Sequence, residues 1–444
     1  MSVNTAATRV ADTVRYTLRT PQLWILAGLF VVIGAGAQLA GPLVIPLGIA
    51  SITILPMVWA ILAGGTVTSQ PWLRVPVRMQ QAASVIMGVA VMVLCARLSF
   101  TLGPNIQVLF QAGPALLLQE LGHLFGTLIL ALPIAVLLKM GPATIGATFS
   151  IDREGSFAMV SERYGTTSPQ YRGVLSMYVF GTLFGAVLVS IIASLATSTG
   201  LFDPLALAMG AGVGSGSMMA AAAAVVQQAH PELGDQVLAM ATASNLITGI
   251  LGVYAGIFIA LPLADRMYRW LARGRFAVAD VDPTPTQVTK MDAVAQPSGV
   301  SMSKWTALLI LGVGGVIISA IAHGGFDWSI IAGWLVLAAL SMAGFGLAKL
   351  TRGKVPAIVW VITIGALSTT PISPVADLVQ ASVASIDFLA ACTVVLAIAG
   401  LTLGKDIPLL KSIGWKIIPV GIVAIAATYL VSVVIAEFAL GLWS

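Results

Sequence analysis

About eleven runs of apolar residues, each near the ~20 needed to cross a hydrocarbon core as a helix, fill most of this chain. They fall at 22–40, 43–64, 80–101, 118–138, 173–197, 236–263, 305–322, 328–348, 355–370, 387–403 and 413–437. With 58% hydrophobic and 9% charged residues and a mean hydropathy of +0.99, a soluble globular fold is excluded. The expected fold is an all-α polytopic membrane protein. The pI near 9.3 does not point to nucleic acid, because Lys and Arg cluster in short groups between the apolar runs, where membrane topology places them. Cys95 and Cys392 stand singly inside apolar runs and read as small core residues, not as a disulfide or a metal site.

Four regions follow from this pattern. Residues 1–21 carry Arg9, Arg15 and Arg19 ahead of the first run and read as a retained cytoplasmic tail. Residues 22–264 form a first transmembrane region, 265–304 a cytoplasmic linker that is basic and then rich in Pro, Thr and Asp, and 305–444 a second transmembrane region.

Two stretches are not clean spans. Residues 141–170 contain "GATFSIDREGSFAMVSERYG", with Asp152, Arg153 and Glu154 side by side; residues 199–232 contain "GAGVGSGSMMAAAAAVV". If both spanned, Arg163 and Arg172 would lie outside, against the positive-inside rule. As oppositely inserted re-entrant hairpins they keep both arginines inside and put Glu232 and Asp235 outside. Three ionisable side chains at mid-membrane would each cost about 2.5–3.5 kcal/mol. At the tip of a hairpin they can face water and one another, which implies a cavity.

Each stretch reads as a small-residue break, a half-helix, a polar turn and a span: an inverted repeat of the kind secondary transporters use. Arg153 is suited to gripping a carboxylate, or else pairs internally with Asp152 or Glu154. The glycines of the second break, with Ser215 and Ser217, bind solute, or else the alanine-rich run is only a packing seam. Asn245, with Ser244 and Thr248, adds uncharged hydrogen bonds to solute or serves as interhelical glue. Glu120 and His123, three apart near the start of the 118–138 run, share a helical face; they carry a proton, or face the outer headgroups. A metal there is disfavoured because no second Glu-x-x-His is present.

At these residues the chain resembles known families. "IGATFSIDREGSFAMVSERYG" is similar to a break segment of the bacterial lysine exporters and of the 2-keto-3-deoxygluconate permeases. "LALAMGAGVGSGSMMAAA", with "ASNLITGILGVYAGIFIALPL" further on, is similar to the other break and span of the lysine exporters. "VVLAIAGLTLGKDIPLLKSIGWKIIPVGIVAI" is similar to a helix pair of the bile-acid and arsenite transporter superfamily. As a whole the chain looks like an uncharacterised bacterial family of inner-membrane proteins. The resemblance implies an inverted-repeat transporter with its site at Ser150, Asp152, Gly214 and Ser215. The order of the breaks is reversed and Arg153 follows the acid, so lysine specificity does not transfer.

The expected function is ion-driven secondary transport of a small organic anion or amino-acid-like solute. The solute is bound by Ser150, Asp152, Arg153, Glu154, Gly214, Ser215, Ser217 and Asn245, with Glu120, His123 and Asp152 handling Na⁺ or H⁺. No other cofactor is expected, and "GAGVGSG" lacks the Lys-Ser or Lys-Thr of a phosphate loop. The expected setting is a bacterial inner membrane, with the N-terminus cytoplasmic and the C-terminus outside. The expected partners are solute and lipid, and a homodimer is allowed. The rival readings are an intramembrane enzyme using Glu120, His123 and the Asp152-Arg153-Glu154 cluster, and a channel.

Overall fold

The computed structural model describes residues 14–47, 51–70, 75–148, 160, 163–165, 168–273, 299–352, 354–407 and 414–443. Its long helices are α1 (Pro21–Ala40), α2 (Pro56–Ser69), α3 (Val77–Leu102), α4 (Gly113–Leu137) and α5 (Pro169–Ser198). Then come α6 (Pro204–Ala211), α7 (Gly216–Ala229) and α8 (Gly234–Ala255), the last continuing through a π turn at Gly256–Ala260 into Leu261–Leu271. Beyond the linker lie α9 (Lys304–Ala322), α10 (Trp328–Leu350), α11 (Ala357–Ser368), α12 (Phe388–Gly400) and α13 (Ile417–Trp443). Among the described residues eight helices are long and apolar enough to cross a membrane. The protein is an all-α polytopic membrane protein.

Local chemistry explains where the helices start. Proline occupies the first turn of α1, α2, α4, α5 and α6, where its missing N–H costs nothing. Ser168 caps α5 through Tyr171 N (3.1 Å), and Asp203 caps α6 through Leu205 N (2.7 Å). Once formed, the helices are apolar nearly all round, so small residues decide how closely they approach.

Two of the expected runs are corrected. The 43–64 run is not one span. Leu43–Pro46 (β2) and Ser51–Ile54 (β3) pair antiparallel, and α2 begins only at Pro56, whose ring sets the helix start. The 355–370 run yields a helix of only 12 residues, ended near Thr369.

The hairpin β2–β3 marks one end of the bundle. The other end carries β1 (Val14–Tyr16), paired parallel with β4 (Val300–Met302), so the N-terminal segment and the end of the linker lie together. The two transmembrane regions interleave. A methyl group on Gly64 of α2 would sit 2.8 Å from the Gly400 backbone of α12, and one on Gly122 of α4 would sit 2.5 Å from Ser432 of α13. Gly103, just after α3, lies against Thr369, and Gly34 of α1 lies against Ile318 of α9.

The stretch 199–232 enters from the hairpin end, and the described ends of 141–170 lie at the other, the expected hairpin between them falling outside the described residues. Thr53 N to Ser194 Oγ (2.7 Å) and Ser51 N to Ser198 Oγ (3.0 Å) fix the C-terminus of α5 at the hairpin end. From there α6 descends along α13: Asp203 N meets Glu437 Oε2 at 2.7 Å, Tyr429 Oη donates to Leu207 O at 3.4 Å, and Gly210 packs on Val433. Helix α7 then returns, with Met218 against Gly185 midway along α5 and Gln227 against Gly234 at the start of α8. Residues 199–232 are therefore a re-entrant hairpin. At the opposite end, a short helix at Ala143–Ala147 crosses the start of α5 through Gly146 and Gly173, each pressed on the other helix's backbone.

Candidate functional site

At the break between α6 and α7 the backbone turns through Gly214, whose φ of +81° is open to glycine and costly for other residues. Helix α8 holds the turn. Ser244 Oγ donates to Met209 O (2.7 Å), and Asn245 Nδ2 donates to Gly212 O (2.7 Å) and Gly214 O (3.2 Å). Gly212 is pressed against Ser244, a contact that any side chain there would block. Asn245 thus carries out the gluing role within the hairpin, by satisfying carbonyls that the interrupted helix leaves open.

Beyond the turn, Ser215 and Ser217 are half-buried with hydroxyls 3.1 Å apart, at the N-terminus of α7. Ser215 makes no side-chain cap to that helix, so the hydroxyl pair is not consumed in capping. The following alanines, Ala220 to Ala224, are buried between neighbouring helices. The break and the packing seam are consecutive parts of one hairpin.

The second cluster joins the first on α8. Asn245, Thr248 and Gly252 share one face of that helix, with Asn245 and Gly252 about 10 Å apart along it. A methyl group at Gly252 would lie 3.0 Å from Glu120 Oε1. Glu120 and His123 are both buried, at 5% and 8% exposure, so the outer-headgroup placement is corrected: α4 starts at Gly113, which sets both residues well inside the helix. Ser432 Oγ to Gln119 O (3.2 Å) ties the same stretch of α4 to α13.

Helices α4 and α8 carry related sequences, "LGHLFGTLILALPIA" from Leu121 and "LGVYAGIFIALPLA" from Leu251. Both contain a π turn just before Leu-Pro, at Thr127–Ala131 and at Gly256–Ala260. Proline removes a helical N–H and crowds the preceding turn, which the wider turn relieves. Helix α5 has a third, at Gly181–Gly185, against Met218 of α7.

Ser150, Asp152, Arg153 and Glu154 lie outside the described residues. Arg97 on α3 escaped the sequence reading. It is half-buried within a span and donates from Nε to Ile386 O at 3.1 Å. A lone arginine inside "VMVLCARLSF" was the available signal. Among the described residues no group of three His, Cys, Asp or Glu side chains is placed to hold a metal.

Helix lengths, the re-entrant hairpin and the polar face of α8 define a polytopic helical membrane protein with an interrupted helix pair at its centre. The chain belongs to the family described as Protein of unknown function (DUF3100), whose model matches residues 35–270 and so takes in α2 through α8. No curated protein and no solved structure matches, and the resemblance to lysine exporters and 2-keto-3-deoxygluconate permeases has no named relative behind it.

Proposed function

We propose that this protein is a secondary transporter of a small organic anion or amino-acid-like solute, driven by an ion gradient. The observation that carries the reading is the juxtaposition on α8: Asn245 fastens the break of a re-entrant hairpin, and one face further along receives Glu120. Irregular backbone at membrane depth is tolerated where it lines a cavity or is buried in protein, and half-helix N-termini favour anionic groups. The N-terminus of α7, with Ser215 and Ser217, would take the anionic group of the solute. Gly212 O and Gly214 O already accept from Asn245, which favours Glu120 over the break as the place for the coupling ion, H⁺ or Na⁺.

The orientation follows from charge. Arg15, Arg19, Arg78, Lys139, Lys349, Lys405 and Lys416 all lie at the linker end, which the positive-inside rule assigns to the cytoplasm. The N-terminus is then cytoplasmic, the C-terminus outside, and the setting a bacterial inner membrane. A transporter fits better than an enzyme, because Glu120 lies against the backbone of the same helix whose Asn245 fastens the break.

The test is uptake and counterflow in proteoliposomes over a panel of carboxylates and amino acids, under imposed Na⁺ or pH gradients. Saturable, gradient-dependent flux that Asn245→Ala abolishes and Glu120→Gln uncouples is the expected result. Flux that rises linearly with concentration would mean a channel, and chemical conversion of solute an enzyme.

A further inference from the structure

Among the described residues every Lys and Arg sits toward the linker end except Arg97, which lies in the hairpin-side half of α3. Topology gives no reason for a cation there, and an arginine within a span is costly unless it is used. Its Nε is committed to Ile386 O, which fixes the plane of the guanidinium. Its terminal nitrogens hydrogen-bond to none of the described residues, and no described carboxylate comes within 4.0 Å of it.

Two acids stand at the starts of helices that pack on α3, Asp235 in the first turn of α8 and Asp387 at the start of α12, next to Ile386; both act on Arg97 electrostatically, ahead of the Cys392 thiol. Asp387 makes no side-chain cap to its helix. Both acids are exposed, whereas Arg97 is half-buried. Val91 of α3 touches the position of Gly216 at the start of α7; Arg97, six residues further on, lies about 9 Å nearer the hairpin end and about 120° around α3 from that contact. An arginine fixed through one nitrogen, with two carboxylates in its field but beyond pairing distance, is arranged to accept something between them.

We infer that Arg97, Asp235 and Asp387 form a recognition subsite for a small zwitterion of the α-amino-acid class, on the hairpin side of the break. The free edge of the guanidinium takes the carboxylate, and the two aspartates take the ammonium group. The inference rests on the transporter reading for its purpose: the carboxylate is held at Arg97 before it passes to the N-terminus of α7, and the solute narrows from any organic anion to one that also carries a cationic amine.

The full-length protein in detergent tests this through thermal stabilisation by each of the twenty common α-amino acids, by propionate and by methylamine. At least one amino acid should stabilise the wild type while propionate and methylamine do not. Arg97→Gln should weaken that amino acid roughly ten- to a hundredfold, with Arg97→Lys falling between. Asp387→Asn and Asp235→Asn leave the arginine in place and should weaken the amino acid several-fold. If Arg97→Gln does not fold, these three variants carry the test. No stabilisation by any amino acid, or affinity unchanged in the variants, overturns the subsite. Propionate binding as well as the amino acids overturns the zwitterion. An amino acid that binds through Arg97 but is not moved across proteoliposomes leaves the subsite standing and removes the transporter reading instead.

Discussion

Glu120 on α4 lies against the backbone of Gly252 on α8, so closely that a methyl group there would stand 3.0 Å from its Oε1. The glycine gives a buried carboxylate room beside the helix that also holds the break. Gly252→Ala should therefore displace the Glu120 carboxylate while costing only about 1–3 kcal/mol of stability. The expected outcome is loss of ion-coupled uptake in a protein that still purifies as a folded species, checked by flux assay and melting on the same preparation. Uptake equal to wild type would separate Glu120 from transport.

The break makes its own demand at Gly214. With φ at +81°, an alanine there costs about 1–2 kcal/mol in backbone strain, and its methyl would stand 3.1 Å from Met218 Sδ. Gly214→Ala should lower the melting temperature and weaken solute binding together. A variant with unchanged binding would show that the break is structural only.

Asn245→Ala removes two hydrogen bonds, of 2.7 and 3.2 Å, to Gly212 O and Gly214 O. Leaving those carbonyls without their donor should cost about 1–3 kcal/mol. Asn245→Asp, which replaces the amide donor with a carboxylate facing two carbonyl oxygens, should cost more. The ordering of the two melting temperatures is the check.

At the α2–α12 crossing, a methyl group on Gly400 would lie 2.6 Å from Ile61 O and 2.9 Å from Gly64 Cα. Thr68 Oγ1 lies nearby, within 3.0 Å of Gly64 O and 3.2 Å of Gly404 N. Gly400→Val should destabilise by several kcal/mol because backbone, not a flexible side chain, is in the way. Gly441→Val, where the space is open, is the matched control.

Asp406, at the linker end beyond α12, gives a pH signature. Burial raises its carboxyl above the ordinary 3.8, outweighing the lowering by Lys405, whose Nζ is 2.8 Å away. The folded protein then holds this proton more tightly than the unfolded chain. The Asp406 contribution falls as pH rises from the ordinary carboxylate value through the raised one, and is level above it. Asp406→Asn should flatten that part of the melting-temperature profile. An unchanged slope would assign it to other groups.

Much of this was readable in the residues. Apolar run length placed most of the helices, and the glycines and serines of 210–217 located a break at the position the structure shows. The alternation of Lys- and Arg-bearing loops favoured opposite insertion for the two interrupted stretches, and 199–232 does enter and leave at the hairpin end. The 43–64 run misled because hydropathy does not separate an apolar strand pair from a helix. Arg97 was passed over because a single charge in a long apolar run barely alters the pattern.

The sequence by itself determined that this is a membrane-spanning helical protein and where the stretch 199–232 is interrupted, since both depend on local properties: apolar length, proline and glycine. Only the tertiary structure decided that Asn245 closes the break, that Glu120 meets Gly252 and that Arg97 faces the starts of α8 and α12. Those are meetings between residues from 31 to 290 positions apart in the chain. In an apolar medium they are set by which small residues let two backbones approach, a property of helix pairs and not of any one segment.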